Sequence, residues 1–388
     1  MKRALFRLQY ELEAQRRYTE HGSDRGAKLK LDDVADGRVR AILARLGSMG
    51  YKEGLAWLRG QEQTEGVAIV PIGARTPEGL QRRAVGRKPS LMLLCRPLHT
   101  IMLLDEYLAE ANTALADGGY LWCHAMTSSL RREEIMKRYP PVVSHAVVAY
   151  NYIWHRVCPK LVLTRSLYYR LTGGKERQLS RVEIIGRLYR AGFEVEDEQF
   201  REGEFFVSAH KVKAPATDAA PTGSPLIRLK RVGKGGKEIT VYKFRTMYAY
   251  SEYMQPYVYR YQNLDKGGKF HDDYRVTTWG HWLRKVWLDE LPMVWNLLRG
   301  DLKLVGVRPL SRQYFGLYTP EMRELRIKTK PGLLPPFYYD EHTPETLDEV
   351  QESERRYLEA YLERPLATDW RYFWGIVGNI LFRKKHSA

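Results

Sequence analysis

The stretch Ala214 to Ser224, APATDAAPTGS, is the feature that most constrains how this chain can fold. It is small, polar and proline-rich, and such a composition has too little apolar surface to join a core. A chain interrupted in this way folds as two bodies: residues 1–213, a linker at 214–223, and residues 224–388. At 388 residues the chain is long enough for a core in each. The formal charge of +17 points to an anionic partner, whether nucleic acid, an anionic membrane surface or a phosphorylated substrate. No nucleic-acid fold signature accompanies that charge, so nucleic acid is not expected.

Other classes fall away on residue usage. Cys95, Cys123 and Cys158 are odd in number and lack CxxC spacing, which speaks against a disulfide framework or a zinc site and fits a reducing compartment. The first residues, MKRALFRLQYELEAQRRY, are amphipathic and lack the apolar centre of a signal peptide. No stretch of about eighteen residues is apolar and uncharged, so no conventional spanning helix is expected. Attachment to one membrane face through amphipathic segments stays open.

In the first half, helical periodicity runs from Val39 to Leu58, and Gly66 to Ile72 reads as a strand. From Pro89 the pattern alternates. Ser90 to Leu94 reads as a buried strand, Leu103 to Ala116 as an amphipathic helix, and Asp117-Gly118-Gly119 as a turn into the strand Tyr120 to His124. Arg181 to Gly192 then reads as a helix, followed by Phe193 to Val195 and Glu204 to Ala209 as a hairpin. This order, over about residues 89–211, resembles the latter half of a class I methyltransferase-like domain. The resemblance implies a degenerate Rossmann-like α/β domain. A working enzyme of that kind needs a glycine-rich strand-to-helix turn for its cofactor. Ile72-Gly73-Ala74-Arg75 supplies one glycine, so a scaffold is expected and methyltransferase-type catalysis is the alternative.

Between these elements, His145 to Gly174 is aromatic-rich, carries His155, Arg156, Lys160, Arg165 and Arg170, and is interrupted by Pro159. Proline ends or kinks a helix near Cys158. Aromatics beside basic heads suit a lipid–water interface; an ordinary buried helix–turn–helix with a basic rim fits the same letters.

The second half is sharper. Leu226 to Val232 and Glu238 to Phe244 read as two strands joined by Gly233-Lys234-Gly235-Gly236-Lys237, a hairpin turn. It is dense in cations, among them Arg228, Lys230, Arg231, Lys243 and Arg245. A helix is expected from Thr278 to Val286, and a second starting at Leu288-Asp289-Glu290-Leu291-Pro292, with Asp289 as N-cap, Pro292 in the first turn and Gly300 as the stop. Lys303 to Val305 reads as a strand. Two adjacent carboxylates, with Asp301 and Asp273 near in sequence, suit Mg²⁺, which takes oxygen ligands and bridges phosphates. On spacing alone the pair reads first as a helix start, the Asp as cap and the Glu answering the macrodipole.

The ordered series G-K-G-G-K-E-I-T-V-Y-K-F-R-T-M, D-x-R-x-T-x-x-G-x-x-L-R-K, L-D-E-L-P-x-x-x-N-x-L-x-G-D and L-V-G-x-R-P, over about residues 224–335, resembles the bacterial sugar transferase family. These are the monotopic polyprenyl-phosphate phosphoglycosyl transferases that initiate surface polysaccharide or glycoconjugate synthesis. The resemblance implies an α+β catalytic domain with amphipathic, membrane-associated helices. It implies that Asp289 attacks the β-phosphate of a UDP-sugar, that UMP leaves, and that a polyprenyl phosphate then takes the sugar 1-phosphate from the aspartate. Glu290, with Asp289, is implied to hold Mg²⁺. Lys243 and Arg245 match the K-F-R-T-M cations and Arg308 the R-P arginine, all expected to clamp phosphate. Asp273, Arg275, Arg284 and Asp301 match further family positions and are expected at the substrate site. The expected place is the cytoplasmic face of the bacterial inner membrane, peripheral or monotopic, and a homodimer is compatible. The remaining alternative is a non-catalytic basic scaffold on a membrane surface.

Three departures stand out. The apolar helix usual before the first strand is replaced by the polar linker. Leu229 stands where a glutamine is usual. After Lys330-Pro331-Gly332, the run Leu333-Leu334-Pro335-Pro336-Phe337-Tyr338-Tyr339-Asp340 replaces a familiar polar one. The expectation is that a membrane anchor has moved to His145–Leu171, assisted by Trp370 to Lys385.

Overall fold

The computed structural model describes residues 37–48, 67–70, 88–174, 176–201, 203–218, 223–255, 257–258, 273–340, 344 and 346–383. The Ile72–Arg75 turn, the second half of the Val39–Leu58 periodicity and the N-terminal stretch lie outside the described residues. The chain divides into two compact units: Met1–Gly223 with Tyr248–Tyr261, and Ser224–Met247 with Gln262–Ala388.

The first unit runs α1 (Gly37–Ser48), β1 (Val67–Val70), β2 (Leu91–Leu94), α2 (Leu104–Ala114), β3 (Tyr120–Ala125), α3 (Ser128–Arg138), α4 (Pro141–Tyr152), α5 (Val162–Thr172), α6 (Arg181–Arg190), β4 (Phe193–Arg201) and β5 (Glu204–Lys211). Its sheet has the order β1-β2-β3-β5-β4. The first three strands are parallel and the last two antiparallel. Parallel neighbours need a crossover, and α2 supplies it between β2 and β3. All four residues of β2 are buried, as a strand covered on both faces requires. On one face α1 places Val39, Ile42, Leu43 and Leu46, at helical spacing, against Leu91 and Leu93. The expected strand at Phe193 runs on to Arg201 through an irregularity between Val195 and Asp197, so the closing hairpin is longer than its apolar letters suggested.

A buried ion triad braces this unit. Glu183, on α6, accepts from Arg156 Nη1 at 2.8 Å and Lys160 Nζ at 2.9 Å, and it completes a capping box with Ser180. Both cations come from the break between α4 and α5, where Ile153–Val157 form a π turn and Cys158–Lys160 a 3-10 turn. Burial by itself raises the Glu183 carboxyl, but the two cations outweigh it and hold the group far below the ordinary value of 4.5. The segment after the K-F-R-T-M motif packs here too: the Arg187 guanidinium sits 4.1 Å from the Tyr250 ring centroid, and the Tyr250 hydroxyl donates to Asp105.

The second unit opens with the hairpin β6 (Leu226–Val232) and β7 (Glu238–Phe244), registered from Leu226↔Phe244 to Val232↔Glu238. It continues with α7 (Thr278–Lys285), α8 (Met293–Leu298), β8 (Lys303–Val305), α9 (Arg312–Gly316), α10 (Pro320–Ile327), β9 (Gly332–Leu334), α11 (Leu347–Glu363) and α12 (Pro365–Arg383). Val241, Met293 and Leu302 pin β7 to α8. The parallel pair β8 and β9 brings Gly306 and Gly332 face to face, so near that a Cβ on Gly332 would lie 2.1 Å from the Gly306 nitrogen. The Leu333–Asp340 run is inward packing in this unit: Asn379 Nδ2 donates to the Tyr338 and Tyr339 carbonyls, and the Tyr339 ring lies 4.4 Å from that of Tyr372. No helix among the described residues is long and apolar enough to cross a membrane.

The Glu183 triad generates a prediction. A carboxyl whose folded pKa is depressed contributes stability above its unfolded pKa and loses that contribution as pH falls. Glu183→Gln leaves two buried cations without their anion and is expected to cost about 3 kcal/mol at neutral pH. The deficit shrinks as the buffer is taken below the ordinary glutamate value. Urea unfolding at pH 7 and pH 4 checks both the size and the trend.

Candidate active site

The site is assembled on the hairpin and on the chain between α7 and α8. Thr277 caps α7, its Oγ1 accepting from Gly280 N at 2.9 Å while its own N–H donates to the Thr246 carbonyl at 2.8 Å. Gly280 sits directly against that carbonyl; a Cβ there would stand 2.0 Å from the Thr246 oxygen. The T-x-x-G spacing thus locks the start of α7 onto the end of the K-F-R-T-M strand. It also sets Arg284, one turn on, where its Nε donates to Thr246 Oγ1 at 3.1 Å.

Trp287 then takes a left-handed conformation, φ 58°, and turns the chain into a 3-10 turn, Leu288–Glu290. Its ring rests 4.8 Å from that of Tyr338, which holds an otherwise unfavourable backbone in place. The expectation that Asp289 caps a helix is therefore corrected. α8 begins at Met293 behind Pro292, no side chain caps either turn, and Asp289 lies within the 3-10 turn. It is 7% exposed, and its Oδ1 is buried with no hydrogen-bond donor among the described residues. Burial, joined by the charge of Glu290, pushes the Asp289 carboxyl above the ordinary value of 3.8; Lys243 and Arg284 pull it down without cancelling the rise.

Glu290 points to the strand. Its Oε1 accepts from Lys243 Nζ at 2.5 Å. Lys243 is lowered by burial and by the nearby Arg308 charge, against the pull of Glu290 and Asp289. Arg284 is lowered by burial, with Arg308 and Arg275 acting in the same sense. These shared influences put Asp289, Glu290, Lys243, Arg284 and Arg308 in one electrostatic neighbourhood: two carboxylates among several cations. Arg231 belongs to it through Arg308.

The other residues expected at the site organise backbone and neighbours. Asp273 forms a two-toothed ion pair with Arg275, at 2.8 and 2.7 Å. Arg245 Nε donates to the Ser224 carbonyl at 3.0 Å, tying the end of β7 to the residues before β6. Asp301 accepts from Asn296 Nδ2 at 3.2 Å. Asn296 is fully buried and clamps β7, accepting from Tyr242 N at 3.0 Å and donating to the Thr240 carbonyl at 2.6 Å. It stands in a quoted motif, so its spacing was visible while its role was not. Arg326 had no signal in sequence. It is buried against Glu354, and its Nη2 donates to the Arg308 carbonyl at 2.6 Å.

A divalent ion fits here only in part. Asp289 Oδ1 is an orphaned oxygen beside a second carboxylate, as a Mg²⁺ ligand would be. Among the described residues no group of three or more His, Cys, Asp or Glu could hold a metal. The donors suit an ion that also draws oxygens from a bound phosphate.

Residues 207–382 match the family described as Bacterial sugar transferase. Over 112 residues the chain is 41% identical to an uncharacterized sugar transferase, EpsL, of Bacillus subtilis, covering 29% of this chain and 49% of that protein. It is 34% identical over 116 residues to the UDP-galactose-lipid carrier transferase of Erwinia amylovora, covering 29% and 24%. It is also 34% identical over 109 residues to the undecaprenyl-phosphate galactose phosphotransferase of Salmonella typhimurium, covering 27% and 23%. The chain spans about half the length of the first of these relatives and about a quarter of the other two. A solved O-methyltransferase family protein from Burkholderia thailandensis, 14% identical, covers 55% of this chain and 71% of its own at a TM-score of 0.23, which carries no argument about fold.

Two outcomes follow from this geometry. Gly280→Ala is expected to destabilise the second unit by about 2 kcal/mol through overpacking against Thr246, measured by urea unfolding. Asp289→Asn is expected to raise stability by about 1 kcal/mol at pH 8, since it removes a buried charge and gives the side chain a donor. A carboxyl with a raised folded pKa destabilises most above that pKa, so the gain shrinks as pH falls toward 4.

Proposed function

We propose, on the match of residues 207–382 to the bacterial sugar transferase family, that this chain moves a sugar 1-phosphate from a UDP-sugar to a polyprenyl phosphate, initiating surface polysaccharide or glycoconjugate synthesis. The observation that carries the reading is Asp289, a buried carboxylate with one oxygen unpartnered among the described residues, set beside Lys243 and Arg284, which in turn lie near Arg308. That arrangement suits an anionic nucleophile aimed at a polyanionic substrate, because the cations offset the repulsion between the two.

In this reading an Asp289 oxygen bonds to the β-phosphorus of the donor. The bond from that phosphorus to the bridging oxygen breaks, and UMP leaves with the bridging oxygen. An oxygen of the lipid phosphate then bonds to the same phosphorus and the Asp289 carboxylate is released, so each step exchanges one P–O bond for another. Two steps keep the two polyanions from having to meet in one transition state. Arg284 and Arg308 hold phosphate oxygens with planar donor pairs. Lys243 orients Glu290 and adds charge beside it. Mg²⁺ held by Asp289 and Glu290 would supply further neutralisation of the diphosphate.

The acceptor's lipid chain asks for an apolar surface near Asp289. The elements on either side of it leave Trp279, Trp282, Leu291, Trp295 and Leu298 exposed, and this supports action at a membrane surface, on the cytoplasmic face where UDP-sugars are found. The first unit, with its parallel β1-β2-β3 core and antiparallel closing hairpin, serves in this reading as a degenerate Rossmann-like scaffold.

Purified protein with a panel of UDP-sugars and polyprenyl phosphate is expected to release UMP, and chelation of divalent ions to stop it until Mg²⁺ is restored. Asp289→Asn is expected to lower that release on the order of 10³-fold or more. Normal turnover by this variant would remove Asp289 from the nucleophile role. Because the attacking group must be ionised and its pKa is raised, the acid limb of kcat/KM is expected above the ordinary aspartate range, read from a pH profile of UMP release.

A further inference from the structure

Outside the family region, the helical hairpin of α4 and α5 carries a surface with no counterpart in the chemistry above. From Ile135 to Lys175 the chain contains no Asp or Glu, while Lys137, Arg138, Arg165, Arg170 and Lys175 lie within it. Arg156 and Lys160, in the same stretch, are engaged by Glu183 from α6. That buried triad fixes the turn between the two helices, so the helices present their outer faces as a braced unit.

Those faces are apolar. Val142 is 86% exposed and Leu163 95%, and Tyr150, Ile153, Leu167 and Leu171 are all more than half exposed. Leu163, Leu167 and Leu171 recur at four-residue spacing, so they form one stripe along α5. No ion pair among the described residues involves Arg165 or Arg170. A solvated surface disfavours such a stripe, and a nucleic-acid surface has no use for it. Exposed leucines and aromatics together with carboxylate-free basic charge match the two layers of an anionic lipid surface, headgroup phosphates outside and acyl chains beneath.

We infer that α4 and α5 form a lipid-docking element, seated on anionic phospholipid with the Leu163–Leu167–Leu171 stripe inserted among the acyl chains and Arg165 and Arg170 at the phosphates. The element lies in the first unit and its action is independent of the transferase reading.

The test is local. The native cysteines Cys95, Cys123 and Cys158 are all buried, so Leu163→Cys in the full chain offers one accessible thiol for an environment-sensitive NBD label. Vesicles rich in phosphatidylglycerol are expected to shift the label's emission to the blue and raise it severalfold, far more than pure phosphatidylcholine does, with the response falling as salt is raised. Adding Leu167→Glu and Leu171→Glu to the labelled protein is expected to weaken the vesicle response by about tenfold or more. The inference is overturned if the emission does not change with anionic vesicles, even where the protein sediments with them, because another surface then does the binding. A change without vesicles that grows with protein concentration would assign the stripe to a second copy. A change with RNA and not with vesicles would assign it to nucleic acid. Either result also overturns the proposal. UMP release is a separate readout, so failure of this inference and failure of the transferase reading are distinguishable.

Discussion

The ion pair between Lys243 on β7 and Glu290 in the 3-10 turn is the interaction on which the second unit depends. Both side chains are largely buried, so each would carry a heavy desolvation penalty alone. Paired, they fasten the hairpin to the turn that carries Asp289. Asn296 fastens the same strand through the Tyr242 and Thr240 backbone, and the Gly280 contact holds the chain just past the strand's end, at Thr246. Three attachments on one short strand leave Lys243 little freedom, and little freedom is what a preorganised electrostatic site requires.

Held in this way, the site keeps one group in an unfavourable state. Asp289 is buried next to another carboxylate and has an oxygen that no donor among the described residues reaches. Burial of such a group opposes folding, and the same burial raises its pKa. The surroundings tolerate it because the rest of the unit is firmly built: the buried Arg326–Glu354 pair supports the Arg308 carbonyl, and Lys303 joins β8 to Tyr357 and Asp369. An isolated destabilised group in a rigid frame is the usual signature of a functional residue.

The first unit follows the same logic with a different result. Glu183 there is buried more deeply than Asp289, yet two cations hydrogen-bond to it and its pKa falls. The contrast between the two carboxylates shows that burial alone does not decide a pKa; the donors within reach do. Glu183 is a brace, and the helices it braces are the ones whose outer faces stay apolar and free of carboxylates.

Much of this was legible in the letters. The β6–β7 hairpin follows from alternating residues around Gly235 and Gly236, both of which adopt positive φ, because local backbone preference decides a turn. The helical face of α1 follows from apolar spacing for a similarly local reason. The ordered motifs marked Asp289, Glu290, Lys243, Arg284 and Arg308 as candidates without their geometry. Tertiary structure decided what the letters left open. Asp289 read as a helix cap because Asp before Pro292 is a local cap signal, but the Trp287 ring meets Tyr338 from far along the chain and turns the backbone left-handed. Arg326 and Asn296 act through partners distant in sequence, so no spacing could reveal their roles, although a motif did contain Asn296. Sequence by itself determined the turns, the helical faces and the list of charged candidates, since these rest on neighbours along the chain. Only the tertiary structure decided which carboxylate is paired and which is left without a donor, because that depends on contacts between residues that the chain keeps far apart.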